Sequence, residues 1–176
     1  MKLAAVRGVT TVSLRSVQDT TTELLAVLTR VVGNDPTLEV TASQAAEVAH
    51  RQDAALVAVV EHPDADPGIL VGAVIAAGTR MDAETVEEMR YHLADTNETS
   101  LREVTQAQTP KGHPVVIIER ILLTGAQLQA IVTDPASSRA AVFTLHSPTG
   151  RGWLELAAVA GHVVSGVEFT APARVL

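Results

Sequence analysis

The 176 residues carry 13 Lys and Arg against 20 Asp and Glu, a formal net charge of −7, and 47% of them are hydrophobic. That is ample apolar material for one core at a length typical of one domain, so 1–176 reads as a single domain. Scattered basic residues in an acidic chain leave no footprint for phosphates, and one Trp, one Tyr and two Phe leave no stacking platform for single-stranded bases, which excludes nucleic acid as the expected partner.

No run of 18 apolar residues occurs, so no membrane span is expected, and the start MKLAAVRGVTTVSLR lacks the pattern of a cleaved signal. The expected location is cytoplasmic. The absence of cysteine removes disulfides, thiolate zinc sites and cysteine nucleophiles together.

Along the chain, Leu3 to Leu14 is rich in Val and Thr and suits a short strand, weakened in its middle by Gly8. Ser16 with Asp19 opens an amphipathic helix marked by Val17, Leu24, Leu25, Leu28, Val31 and Val32 and closed at Gly33-Asn34. Pro36 prevents its continuation, and Thr41 with Gln44 forms a capping box for a second, alanine-rich helix reaching about His50. Ala54 to Glu61 and Ile69 to Ala77 are β-branched runs joined by the turn-rich His62 to Gly68, an antiparallel pair.

Asp82 and Glu84 open a third helix with Val86, Met89 and Leu93 on one face, ending near Asn97. Strands follow at about Ser100 to Gln108, Val115 to Leu123, Leu128 to Thr133 and Ala140 to His146. The short turns between them imply a meander, since parallel neighbours need long crossovers. From about Arg151 a last helix, with Trp153, Leu156, Ala160, Val163 and Val164 on one stripe, is expected to pack across the sheet, and the tail from Thr170 to Leu176 reads as a loose end or an edge strand. The predicted fold class is α+β, a mainly antiparallel sheet of about six strands with helices on its faces.

Chemistry-bearing clusters are few. Glu61-His62-Pro63-Asp64-Ala65-Asp66 supplies an imidazole and carboxylates of the kinds that bind divalent cations, but the spacing matches no defined metal loop and reads as an acidic hairpin turn. The six histidines are not grouped by spacing. Glu119-Arg120 interrupts an apolar strand and puts adjacent charges on opposite sheet faces, which demands an ion pair or a partly open face. Ser147 to Gly152 has the look of an anion-holding turn, yet the phosphate-loop, dinucleotide and nucleophile-elbow patterns are all absent. Trp153 reads as core, with an interface anchor as its alternative.

Two resemblances are carried by these residues. Ala5-Val6-Arg7-Gly8-Val9-Thr10-Thr11-Val12, with Thr22-Glu23-Leu24-Leu25, resembles the start of the monofunctional chorismate mutases of the AroH type. That likeness implies a substrate-contacting role for Arg7. It covers about thirty residues, and Ile69 to Ala77, where a further arginine would be wanted, has none. The stretch from Val104 through Thr109-Pro110-Lys111-Gly112-His113-Pro114, Glu119-Arg120, Leu128-Gln129-Ala130 and Phe143 to Pro148 is similar to small uncharacterised actinobacterial proteins, some encoded near type VII secretion genes, that look like distant relatives of the PsbP and LpqN group. What this resemblance implies is a helix-covered antiparallel sheet in a binding or assembly role.

The leading functional expectation is therefore a non-enzymatic protein-interaction or assembly module acting on a protein partner or a second copy of itself. The alternative is a small-molecule binder or enzyme with a pocket near Arg7 and Glu61, and it requires Arg7, Glu61 and Glu119 to converge. No cofactor, metal or catalytic residue is implied. Candidate binding residues are Arg7, Glu61, His62, Asp64, Asp66, Glu119, Arg120 and Trp153.

Overall fold

The computed structural model describes residues 1–78, 81–96 and 98–170. Among these residues the order is β1 (Val9–Thr11), α1 (Val17–Val32), α2 (Thr37–Arg51), β2 (Leu56–Val60), β3 (Gly68–Ala76), α3 (Ala83–Ala94), β4 (Leu101–Gln108), β5 (Pro114–Leu122), β6 (Gly125–Asp134), β7 (Arg139–Ser147) and α4 (Trp153–Ser165). Seven strands form one open sheet in the order β1-β2-β3-β7-β6-β5-β4, and every pairing is antiparallel. The expected α+β class and the β4-to-β7 meander are both present.

The sheet has seven strands rather than about six because β1 joins its edge. That strand is three residues long, far shorter than the Leu3 to Leu14 run, since Gly8 turns the chain at φ +82 immediately before it. The preceding segment is tied down by an antiparallel bridge between Lys2 and Glu168 and by Met1, Leu3 and Val6 packing on the core. The second departure is the start of α2. It begins at Thr37, not at a Thr41 capping box, and the Thr41 hydroxyl donates to the Thr37 carbonyl from inside the helix. Pro36 occupies the N-cap with helical φ and ψ, a place where its missing N–H costs nothing. The Asp35 carboxylate accepts from the Thr37 N–H instead.

The other boundaries follow local chemistry. Ser16 caps α1 by accepting from the Asp19 N–H, and Gly33 ends it at φ +93. Asp82 caps α3 by accepting from the Thr85 N–H. The third helix ends at Ala94, with Asp95 as its C-cap, short of the expected Asn97; Asn97 itself and the tail beyond residue 170 lie outside the described residues.

Alternation along the strands divides the core between two faces. On one, Trp153, Leu156, Ala160, Val163 and Val164 of α4 pack on Ala58, Leu70, Leu128, Ala130, Phe143 and Leu145. On the other, Leu24 and Leu28 of α1 and Leu38, Ala42, Ala46 and Ala49 of α2 cover Val57, Val59 and Ile69. At the far end of that second face, Val86 of α3 meets Val116 and Ile118. Between these helices, Gln127 and Gln129 of β6 face the same way as Thr144 and His146 of β7, all half-buried. Burial pushes the His146 imidazole below its ordinary value, which favours the neutral ring.

Candidate functional site

Where β1, β2 and α4 meet at one end of the sheet, the chain encloses a cleft of about 1350 Å³. Its walls come from the segment before β1, the last turn of α1, the β2–β3 loop at 61–67 and one side of α4. This arrangement depends on two close backbone approaches. The Glu61 N–H donates to the Gly8 carbonyl at 2.7 Å, and a Cβ on Gly8 would lie 2.5 Å from the Glu61 carbonyl oxygen. Glycine there sets the position of its neighbour Arg7, which is exposed and lines the cleft. On the far side, Gly152 sits at φ +69 with an imagined Cβ 2.3 Å from that of Ala65, so the β2–β3 loop lies flat against the turn that starts α4.

Charge in the cleft is mostly paired. The Glu61 carboxylate accepts from Arg30 Nη2 at 2.9 Å and from the Thr10 hydroxyl at 3.1 Å. Asp66 is gripped on one oxygen by Arg151, through Nε at 3.0 Å and Nη2 at 2.6 Å, and on the other by the Thr149 hydroxyl at 2.8 Å. The Asp66 N–H completes the dock by donating to the Arg151 carbonyl. The Arg151 guanidinium and then the Thr149 hydroxyl hold the Asp66 carboxyl below the usual carboxylate range, and the same contact raises Arg151. This lock is fully formed above the ordinary aspartate range and is lost as pH falls through the lowered value.

The acidic turn is thus satisfied from within the chain. His62 Nδ1 accepts from the Asp64 N–H at 3.2 Å. No group of three or more histidine and carboxylate side chains placed to hold a metal ion occurs among the described residues. The turn at Ser147 to Gly152 likewise uses its own donors, with the Gly150 N–H on the Ser147 hydroxyl and the Arg151 N–H on that of Thr149.

Of the residues singled out from sequence, Arg7, Glu61, His62 and Asp66 converge on this cleft, and Asp64 lies on the exposed shoulder of the same turn. Glu119 and Arg120 do not join them, so the expected convergence of Arg7, Glu61 and Glu119 holds for the first two residues only. Glu119 and Arg120 point to opposite faces of β5, as their adjacency requires, and each has an ion-pair partner: Arg102 at 3.7 Å for Glu119 and Glu98 at 2.9 Å for Arg120. Trp153 is 8% exposed within the α4 layer of the core and does not line the cleft. Arg30, Arg151, Glu155 and His162 were not among the candidates. Arg30 meets Glu61 across 31 residues and Arg151 meets Asp66 across 85, separations with no local pattern to betray them.

Fold and site together define an α+β protein built on an open antiparallel sheet, with a charged cleft at the β1 corner. Comparison with protein-family models, with curated proteins and with solved structures found no significant match in any of the three. Among the described residues no helix is long and apolar enough to cross a membrane.

Proposed function

We propose that the chain is a small-molecule binding protein whose site is the cleft between the Arg7 segment, the β2–β3 loop and α4. One observation carries this reading. Two arginines at the cleft are committed to Glu61 and Asp66, whereas Arg7 has no ion pair or hydrogen bond among the described residues. An uncommitted guanidinium in a concave, largely aliphatic site is suited to receive a ligand carboxylate or similar oxyanion. Glu61 and Asp66 are each held by a guanidinium, so the reading is one of binding rather than turnover.

Ligand-observed NMR against a panel of aliphatic carboxylates and amino acids tests it. At least one compound is expected to bind, and Arg7→Ala is expected to weaken that binding by about tenfold to a hundredfold, as loss of a charge-assisted contact implies. A panel whose every hit binds Arg7→Ala as tightly as the unaltered chain sinks the proposal.

A second reading, self-association, is favoured by the opposite end of the sheet. There β4 presents an eight-residue edge that no described strand covers, and Ile121 and Leu123 beside it are 50% and 107% exposed. Such an edge is a template for an identical edge in a second copy. Sedimentation equilibrium is expected to show a dimer that Gln106→Lys converts to a monomer. A wild-type chain that stays monomeric at tens of micromolar disposes of this reading.

A further inference from the structure

We infer that the cleft is matched to a zwitterion with an aliphatic body, either a free aliphatic amino acid or a short aliphatic peptide, its carboxylate on Arg7 and its ammonium on Glu155. This inference rests on the binding reading above and assigns the ligand class.

The argument begins with the charges. Arg7, Arg30 and Arg151 stand at the cleft against Glu61, Asp66 and Glu155. Arg30–Glu61 and Arg151–Asp66 cancel as pairs. Among the described Arg, Lys, Asp and Glu side chains of the cleft, the remainder is one cation and one anion, Arg7 and Glu155. Neither has a partner among the described residues, and they do not pair with each other within 4.0 Å. Arg7 lies on the segment before β1 and Glu155 in the first turn of α4, so the two unmatched charges belong to different walls. A ligand carrying both charges meets each without leaving the other unanswered. A polyphosphate or a dianion finds one free guanidinium and an opposing carboxylate, which is poor complementarity.

The walls set the body of the ligand. Val6, Val31, Val32, Val159, Pro63 and Ala158 supply the apolar surface, and no Phe, Tyr or Trp lines the cleft. A planar ring system therefore has no stacking partner, while a branched aliphatic side chain meets surfaces of its own kind. At about 1350 Å³ the cleft is larger than the roughly 300–1,000 Å³ typical of drug-sized ligands, which leaves room for a few residues of peptide.

Calorimetric titration of the full chain with L-leucine, trileucine, their N-acetyl forms, their C-terminal amides, octanoate and chorismate tests this. The uncapped zwitterion is expected to bind at least tenfold tighter than either capped form of the same compound. L-leucine against trileucine separates free amino acid from peptide. Glu155→Gln is expected to weaken the zwitterion about tenfold and leave the N-acetyl form unchanged, while Arg7→Ala weakens the zwitterion and leaves the amide unchanged. The ligand-side comparison uses the unaltered chain, so it stands even if a variant folds poorly. N-acetyl-leucine binding as tightly as leucine, or Arg7-dependent binding of octanoate or chorismate with no response to any zwitterion, overturns the ligand class and leaves the binding reading intact. Absence of Arg7-dependent binding across the whole set overturns both.

Discussion

Gly152→Ala is expected to lower the stability of the chain by about 3 kcal/mol, the sum of a backbone cost and a collision. Gly152 holds φ +69 and ψ +33 at the start of α4, a left-handed conformation that costs a residue with a Cβ about 1 kcal/mol. The Cβ would then lie 2.3 Å from that of Ala65, 2.4 Å from its Cα and 2.5 Å from the Asp64 carbonyl oxygen. Two of those three atoms are backbone, so relief requires the whole β2–β3 loop to lift. Gly150 is the internal control. It has the same φ of +69, but its nearest neighbours are 3.7 Å away, so Gly150→Ala carries only the backbone cost of about 1 kcal/mol. Thermal denaturation of both variants reads the difference, a fall of roughly 10 °C for Gly152→Ala against a few degrees for Gly150→Ala. Equal shifts would show that the loop does not press on this turn.

Under the proposed binding role, the same contact also shapes the site. The loop that Gly152 lets in carries Glu61, His62 and Asp66, and the Asp66–Arg151–Thr149 lock forms only while loop and turn touch. Gly152→Ala is therefore expected to weaken ligand binding at the cleft as well as the fold, whereas Gly150→Ala leaves binding near its original strength.

Phe143→Ala is expected to cost 3–5 kcal/mol, by about the size of loss seen when a large buried aromatic is truncated. Phe143 is fully buried on β7 and heads the largest fully buried side chains. Around it stand Ala130 and Ala141, too small to collapse into the space it would leave. Its ring also lies over Gly72 on β3, the residue opposite it in register, where a Cβ would approach Cδ1 and Cε1 to 3.0 Å. Gly72→Ala should therefore cost about 1–3 kcal/mol by overpacking, and much less once Phe143 is alanine. A double-mutant cycle by chemical denaturation is expected to return a coupling of at least about 1 kcal/mol. Strict additivity would mean that the ring and the glycine do not depend on each other.

Much of this architecture was legible residue by residue. Ser16 with Asp19 and Gly33 bounded α1, Asp82 opened α3, and Val86, Met89 and Leu93 marked the face that packs on β5. The opposite directions of Glu119 and Arg120 followed from the two-residue strand period alone. The start of α2 differs from the expected one because Thr41-Gln44 has the form of a capping box, whereas Pro36 begins the helix a turn earlier. The reach of β1 was overestimated because a run of Val and Thr does not show where a strand loses its partner.

The site divides along the same line. The acidic turn was visible because a Pro-rich segment between two apolar runs reads as a surface loop, whereas Arg7 came forward only through the resemblance of its segment to the start of the AroH-type mutases. What they contact was decided only by tertiary structure. By sequence alone Asp66 reads as a solvated acid or a cation ligand; in the structure Arg151, 85 residues away, holds it. Local sequence controls dihedral preferences, periodicity and capping, which act over a few residues. Which charges remain unpaired depends on loops brought together by the packing of α4 across the sheet, and that packing leaves Arg7 and Glu155 without a partner among the described residues.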